Sequence, residues 1–170
     1  MKHDVIIIGG GVSGTALLYT LGKYTNVRSI GLIEKYNDFG RVNSSARMNS
    51  QTLHFGDIET NYTLDKARKV KRSADMVKHY LENEKALNGA GKLFIRVNKM
   101  VLAVGTQQVS ILRERFKTFS QLFPHLRMIG RDEIAKLEPR VVEGRDPDEE
   151  LLALTTEDGY TVDYGELCHS

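Results

Sequence analysis

The chain has 170 residues, of which 41% are hydrophobic and 27% are charged, and its formal net charge is +2. This length suits one domain, or one domain and part of another, and the balanced charge does not indicate a nucleic-acid-binding protein. One cysteine excludes an internal disulfide framework, and the sequence has no apolar run long enough to span a bilayer. Because the start also lacks a signal-peptide pattern, we expect a cytoplasmic protein.

The first predicted element is an apolar strand, Val5–Ile8, which runs directly into a Gly-x-Gly-x-x-Gly turn formed by Gly9, Gly11 and Gly14. A helix from about Ser13 to Lys23 follows the turn. In this order the glycines permit a sharp turn, a close approach of the backbone to a pyrophosphate, and tight packing of the helix on the sheet. The helix N-terminus then offers unpaired N–H groups to the phosphates.

A second apolar strand, Ser29–Ile33, ends on Glu34. In dinucleotide-binding units an acidic residue about 20 residues after the last glycine accepts hydrogen bonds from ribose hydroxyls. Three glycines near a strand often form an ordinary turn, but the strand, the turn, the helix and the acid occur here in the expected order. The sequence therefore predicts an α/β protein that begins with a Rossmann-like βαβ unit.

The stretch Tyr36–Gly56 is polar and rich in Ser and Asn, and loops of this length are usually functional or disordered. A helix over Thr63–Leu81 follows, with Thr63 as its cap and a basic run at Lys66–Arg72. Apolar residues recur in this helix at helical spacing, so the basic residues form its solvated face. Contact of that face with a membrane surface is the alternative.

In the second half, Lys92–Val104 reads as a strand and Gln107–Phe123 as a helix with a core-facing aromatic stripe, which Pro124 ends. A short helix covers Asp132–Leu137.

Beyond it we expect a surface loop at Glu143–Glu150, a strand at Leu151–Thr155, a turn at Asp158–Gly159 and a capped helix start at Asp163–Glu166. A two-strand Rossmann sheet needs further strands. We therefore expect the N-terminal part of a longer protein, with an incomplete nucleotide-binding region at 1–80 and the beginning of an α+β substrate domain at 81–170.

Several of these features together resemble the FAD-dependent oxidoreductases of the D-amino-acid-oxidase and glycerol-phosphate-dehydrogenase type. They are the N-terminal glycine turn, Glu34, the Ser/Asn-rich loop, and the segments Asp132–Pro139 and Asp158–Asp163. The block Asn43–Thr63, with the Asp65–Lys71 segment after it, more closely resembles the malate:quinone oxidoreductases, which are FAD-dependent, membrane-associated malate dehydrogenases.

The resemblance implies four groups of FAD contacts. The pyrophosphate would be held by Gly9, Gly11, Val12, Ser13 and Gly14. The adenosine ribose would be bound by Glu34, with Lys35 beside it, and phosphate or ribitol hydroxyls by Ser44 and Ser45. Near the flavin ring would lie Asn49, Ser50, Gln51 and Thr52. For Ser44, Ser45 and residues 49–52 the alternative is a polar loop whose side chains satisfy its own backbone.

The resemblance also implies an activity: oxidation of (S)-malate to oxaloacetate in the tricarboxylic acid cycle, with electrons passed to a quinone. Such an enzyme would be peripherally attached to the inner face of the cytoplasmic membrane. His54 is the best local candidate for the base, and Arg47 could bind a substrate carboxylate, although both also fit structural or solvent-exposed roles. No metal site is predicted, and we expect the 170-residue chain alone to be inactive.

Three alternatives remain at this point. The first is another flavoenzyme of the same superfamily, acting on 2-hydroxyglutarate, glycerol 3-phosphate or an amino acid. The second is an NAD-binding dehydrogenase, because Glu34 suits either dinucleotide. The third is a truncated remnant without catalytic activity that only associates with partners.

Overall fold

The computed structural model describes residues 2–88 and 93–170. This part of the chain contains both strands and helices. In chain order they are β1 (Val5–Ile8), α1 (Val12–Tyr24), β2 (Ile30–Ile33), β3 (Thr52–Leu53), α2 (Leu64–Asn88), β4 (Phe94–Val104), α3 (Gly105–Phe119), β5 (Arg127–Gly130), α4 (Arg131–Leu137), α5 (Pro139–Val142), β6 (Leu151–Val162) and α6 (Tyr164–Leu167). Lys92, the expected start of the third strand, lies outside the described residues.

The N-terminal βαβ unit is confirmed. β1 and β2 pair in parallel, in a register from Val5 opposite Ile30 to Ile8 opposite Ile33, and α1 makes the crossover. Both faces of a parallel sheet are normally covered. Here the side chains of Ile6, Ile8 and Ile33 are exposed, so the described residues leave part of this sheet uncovered.

A second sheet contains the remaining strands in the order β3-β6-β4, with β5 also paired to β6. The pairing of β5 with β6 is antiparallel and runs from Arg127 opposite Thr155 to Gly130 opposite Leu152. β6 is buried along most of its length, because it lies between other strands. An apolar cluster packs around it and consists of Ile129, Ile134, Leu151 and Ala153, with Met100, Leu102, Val104, Val141 and Val142 against it.

The two long helices are amphipathic, as the sequence predicts. α2 buries Ala67, Ala74 and Leu81 and exposes most of its basic residues, and Thr63 caps it by accepting the Lys66 N–H at 3.2 Å. α3 buries Val109, Leu112 and Phe119. None of the helices within residues 2–88 and 93–170 is long and apolar enough to cross a membrane.

The predicted turn at Asp158–Gly159 is wrong, since β6 continues from Leu151 to Val162. Glycine is needed here because the backbone of the neighbouring strand is very close: a Cβ at Gly159 would lie 2.4 Å from the Val97 carbonyl oxygen. Asp158 is tolerated in the strand because Lys78 pairs with it at 2.8 Å. α3 also ends at Phe119 rather than Phe123, and the sequence did not predict β3, β5 or α5.

The chain divides into two compact units. Unit 1 comprises Met1–Thr52, Lys85–Ile95 and Thr161–Ser170, and unit 2 comprises Leu53–Glu84 and Arg96–Tyr160. Each unit draws on separated stretches of the chain, and β3, α2, β4 and β6 each have residues in both units. The functional division at residue 80 remains a prediction.

Candidate dinucleotide-binding site

The glycine turn of unit 1 has two positions that only glycine fits. Gly9 has φ +104°, a conformation that strains an L side chain, and its N–H donates to the Ile33 carbonyl at 2.8 Å. A Cβ at Gly14 would lie 1.9 Å from the Gly9 carbonyl oxygen, far inside van der Waals contact. The first turn of α1 therefore packs directly against the backbone that leaves β1.

The N-terminus of α1 is suited to an anion. Its N-cap residue, Gly11, provides no side-chain hydrogen bond, and the first turn has no acidic residue. The hydroxyl oxygen of Ser44 accepts the Val12 N–H at 3.0 Å, and Ser44 is buried. Because a hydroxyl group can donate as well as accept, Ser44 could bind a phosphate oxygen together with the positive end of the helix dipole.

Glu34 joins the two strands of the unit at their carboxyl ends. Its carboxylate accepts the Gly10 N–H at 2.6 Å and the Tyr36 N–H at 3.0 Å. The hydrogen bond from Gly10, followed by that from Tyr36, lowers the pKa of Glu34 below its ordinary value and keeps it charged. Because each carboxylate oxygen has a second lone pair, Glu34 could still accept a ribose hydroxyl.

A cavity of about 400 Å³ opens beside Glu34. It is lined by Ile8, Gly9, Ile33, Glu34, Lys35, Tyr36 and Val42. Ligands of open α/β sheets bind outside the carboxyl ends of the strands, and this cavity occupies that position. The Lys35 Nζ lies 4.8 Å from the centre of the Tyr36 ring, a cation–π contact at the cavity wall.

The polar loop after Glu34 is held together largely by its own side chains. The Asn49 amide donates to the Asn43 carbonyl and accepts the Gln51 N–H at 2.7 Å. Ser45 is half-buried, and its hydroxyl accepts the Arg47 N–H at 3.4 Å. For Asn49 and Ser45 the structure thus shows the backbone-satisfying role, and a contact with FAD remains a prediction.

Gln51 is a buried residue in an unusual conformation, with φ +56°. Its carbonyl accepts the Val162 N–H at 2.7 Å, and its side-chain oxygen accepts the Tyr164 N–H at 2.8 Å. Such strain persists when surrounding contacts over-determine it and often marks a functional segment. The adjacent Ser50 is exposed and Thr52 half-buried, with the Thr52 hydroxyl donating to the Ser50 carbonyl at 3.3 Å.

Both catalytic candidates, Arg47 and His54, are exposed, and His54 also has a side-chain partner. In unit 2, His54 Nδ1 lies 2.6 Å from Glu59 Oε1. Sequence reasoning missed Glu59, although the five-residue spacing within one polar loop could have suggested the pair. It also missed the buried ion pair of Lys99 with Asp57, at 2.7 Å, for which the sequence holds no local signal.

Known proteins resemble this chain in sequence and in fold. A sequence model of the malate:quinone oxidoreductase family matches residues 1–170. A probable malate:quinone oxidoreductase from Campylobacter jejuni is 44% identical over 173 residues, covering 98% of this chain and 38% of that protein. A malate:quinone oxidoreductase from Helicobacter pylori is 38% identical over 144 residues, covering 85% of this chain and 31% of that protein.

Solved structures share the fold. A glycine oxidase from Geobacillus kaustophilus has a TM-score of 0.75 at 20% identity, covering 99% of this chain and 43% of that protein. An FAD-bound L-α-glycerophosphate oxidase from Mycoplasma pneumoniae has a TM-score of 0.61 at 24% identity, covering 99% of this chain and 41% of that protein. The chain thus spans less than half the length of these proteins, and over that span it belongs to the malate:quinone oxidoreductase family.

Proposed function

We propose that this chain is the FAD-binding N-terminal part of an enzyme that oxidises (S)-malate to oxaloacetate and reduces a membrane quinone in the tricarboxylic acid cycle. Family membership supports this proposal, because the relatives from Campylobacter jejuni and Helicobacter pylori carry malate and quinone in their names.

The principal structural support for FAD binding is the hydrogen bond between Ser44 and the N-terminus of α1. At 3.0 Å from the Val12 N–H, the Ser44 hydroxyl stands where a pyrophosphate oxygen would approach the helix dipole. A Cβ at Gly11 would lie 3.4 Å from the Ser44 hydroxyl oxygen, so the missing side chain keeps the space in front of that hydroxyl open. The residues present therefore fit a dinucleotide, and family membership favours FAD over NAD.

The individual FAD contacts belong to the same proposal. The pyrophosphate is held by Gly9, Gly11, Val12, Ser13 and Gly14. Glu34 accepts ribose hydroxyls, and Lys35 lies at the rim of the cavity beside it. Ser44 and Ser45 face phosphate or ribitol hydroxyls, and the segment 49–52 approaches the flavin ring. When bound, the flavin supplies the two-electron acceptor, while the protein orients the substrate and accepts its hydroxyl proton.

The proposal includes peripheral attachment to the inner face of the cytoplasmic membrane, where a quinone is accessible. The exposed basic residues Arg68, Lys69 and Arg72 of α2 are compatible with an anionic lipid surface.

The test is to purify the full-length protein that contains this segment. We expect a yellow preparation absorbing near 450 nm, as bound oxidised flavin does. Malate should bleach this band, and a quinone should restore it. 2-Hydroxyglutarate, glycerol 3-phosphate and amino acids form the comparison panel. Bleaching by one of these compounds but not by malate would overturn the substrate assignment.

The 170-residue chain is the matched control for the full-length protein. We expect it to turn nothing over, because the first sheet of the described residues is only partly covered. Malate oxidation by this chain alone would show that the catalytic machinery lies within it. A full-length protein that binds no flavin would favour a remnant without catalytic activity.

A further inference from the structure

Gly10, in the middle of the glycine turn, is held by contacts on three sides. Its N–H donates to the Glu34 carboxylate at 2.6 Å, and its carbonyl accepts the Gly40 N–H at 3.0 Å. The ring of Phe39 lies against its α-carbon, since a Cβ added to Gly10 would stand 2.4 Å from Phe39 Cδ1. The φ of Gly10 is not positive, so the nearest obstacle to a side chain here is the Phe39 ring and not the backbone conformation.

The hydrogen bond from Gly40 also fixes the direction of the next N–H along the chain. In a planar trans peptide, such as the one between Gly10 and Gly11, the carbonyl and the N–H point to opposite sides. Because the Gly10 carbonyl faces Gly40, the Gly11 N–H points away from Gly40. No acceptor for the Gly11 N–H lies among the residues that the structure describes. It is therefore an oriented donor beside the N-terminus of α1, where an anion is favoured.

The position of the Phe39–Gly40 segment depends on the end of α6. Gly40 is buried and has φ +67°, and a Cβ there would lie 3.1 Å from the Gly165 α-carbon and 3.4 Å from Cys168 Sγ. The centre of the Phe39 ring lies 5.8 Å from the centre of the His169 ring. All of these residues belong to unit 1. The end of α6 therefore packs against the segment that contacts the glycine turn.

We propose that Phe39 is a positioning residue for FAD, which holds the glycine turn in the form that binds the pyrophosphate, and that His169 holds Phe39 in place; this rests on the proposed function. Neither residue is among the predicted FAD contacts. A loop that already has its binding conformation loses less conformational freedom when the ligand arrives, so the contacts of Phe39 raise the affinity for FAD without touching it.

The first test exchanges size between Gly10 and Phe39 in the deflavinated full-length protein and measures the dissociation constant of FAD. Gly10→Ala should weaken binding about tenfold, since the new methyl group and the ring cannot occupy the same space. Phe39→Ala should weaken binding by a similar factor, because the turn is no longer held. In the Phe39→Ala background, Gly10→Ala should weaken binding less than about threefold, because the ring that the methyl group would meet is gone.

Phe39→Leu is the rescue variant. It keeps an apolar side chain with a Cδ1 atom against Gly10, and it should retain most of the affinity that Phe39→Ala loses. Gly22→Ala and Tyr24→Ala, at open positions of α1, are the controls and should bind FAD like the wild type. Wild-type affinity in Gly10→Ala or in Phe39→Ala would overturn the proposal, and so would losses that multiply in the double variant.

His169→Ala tests the support from the end of α6. It should weaken FAD binding about threefold in the wild-type background and leave it unchanged in Phe39→Ala, because His169 acts through the Phe39 ring. His125→Ala, which alters an exposed histidine of unit 2, is the control. No loss in the wild-type background, or an equal loss in both backgrounds, would overturn the role of His169.

Hydrogen exchange of the full-length protein, followed by mass spectrometry, gives a readout that does not depend on activity. Coupling between two sites is reciprocal, so FAD should slow the exchange of the amides at residues 167–169, which are hydrogen-bonded to the preceding turn of backbone. The slowing should exceed that in α3, which lies in unit 2, and should be smaller in Phe39→Ala. Equal slowing in the wild type and in Phe39→Ala would overturn the proposal.

Failure of the proposed function and failure of this inference are distinguishable. A protein that binds FAD but does not oxidise malate would contradict the proposed substrate, while the affinities of the variants still test the role of Phe39. If the wild type binds no FAD, the size exchange is followed by thermal unfolding. Gly10→Ala should then lower the Tm of the wild type and lower that of Phe39→Ala much less, and equal decreases would overturn the contact between the ring and the turn.

Discussion

The Glu34 carboxylate accepts the Gly10 N–H at 2.6 Å, so the acid at the end of β2 also holds the turn at the end of β1. A residue that was predicted only as a ribose ligand therefore also shapes the pyrophosphate loop. Removing its charge should therefore weaken both the contact with the ribose and the hydrogen bond that holds the pyrophosphate loop.

Glu34→Gln should weaken FAD binding about tenfold or more, which is the loss expected when a charged hydrogen-bond acceptor becomes neutral. The measurement is the dissociation constant of FAD for the deflavinated full-length enzyme. Glu138→Gln, at an exposed position of unit 2, is the control and should bind FAD normally. Wild-type retention in Glu34→Gln would show that the ribose assignment is wrong.

The same acid predicts a pH dependence of stability. The Gly10 and Tyr36 N–H groups lower the pKa of Glu34 in the folded state below its ordinary value of 4.5. A lowered folded-state pKa contributes stability above pH 4.5 that is lost as the pH falls through the folded-state value. The difference in Tm between the wild type and Glu34→Gln should therefore be largest near neutral pH and shrink below pH 4.5. A constant difference across that range would contradict this linkage.

Two glycines of α1 should respond to alanine in opposite directions. Gly14→Ala places a Cβ 1.9 Å from the Gly9 carbonyl oxygen, so we expect a loss of about 1–3 kcal/mol or more and no FAD retention. Nothing lies within 4 Å of a Cβ at Gly22, and Gly22→Ala should stabilise the helix by about 0.5–1 kcal/mol. Thermal unfolding and flavin content measure both effects. Equal effects of the two substitutions on stability would mean that the backbone at Gly9 can move away from a side chain at position 14.

The ion pair of Lys99 with Asp57 should be sensitive to the loss of one partner. Their side chains are 6% and 4% exposed, and the Lys99 ammonium also lies 5.2 Å from the centre of the Phe55 ring. Lys99→Met leaves a buried unpaired carboxylate and should cost about 3–5 kcal/mol, measured by urea unfolding.

The double variant Lys99→Met/Asp57→Leu should recover much of that loss, because no buried charge remains. The exposed ion pair of Lys117 with Glu114 provides the control: Lys117→Met should change stability by less than about 1 kcal/mol. A similar small effect of Lys99→Met would show that water reaches the buried pair.

Local patterns in the sequence determined the βαβ unit and the long helices. Val5–Ile8, the glycine turn and Glu34 follow one another at short spacings, and the apolar face of α2 repeats with the helical period. Such features depend on neighbouring residues, so they can be read without knowing the tertiary structure. For the same reason the helix start at Asp163 was predictable: its side chain accepts the Glu166 N–H three residues later.

Tertiary structure alone decided which polar residues meet. Ser44 accepts the Val12 N–H although the two residues are 32 apart in the sequence, and Lys99 pairs with Asp57 across 42 residues. Gly159 lies within a strand where a turn was predicted. In each case the deciding interaction is a long-range contact: an unpaired helix N–H, a buried charge, or a neighbouring strand's carbonyl. The sequence determined that a dinucleotide fold forms, whereas packing decided which side chains complete its site. The reason is that the partners of buried hydrogen-bonding groups and charges are distant in the sequence and are brought together only by folding.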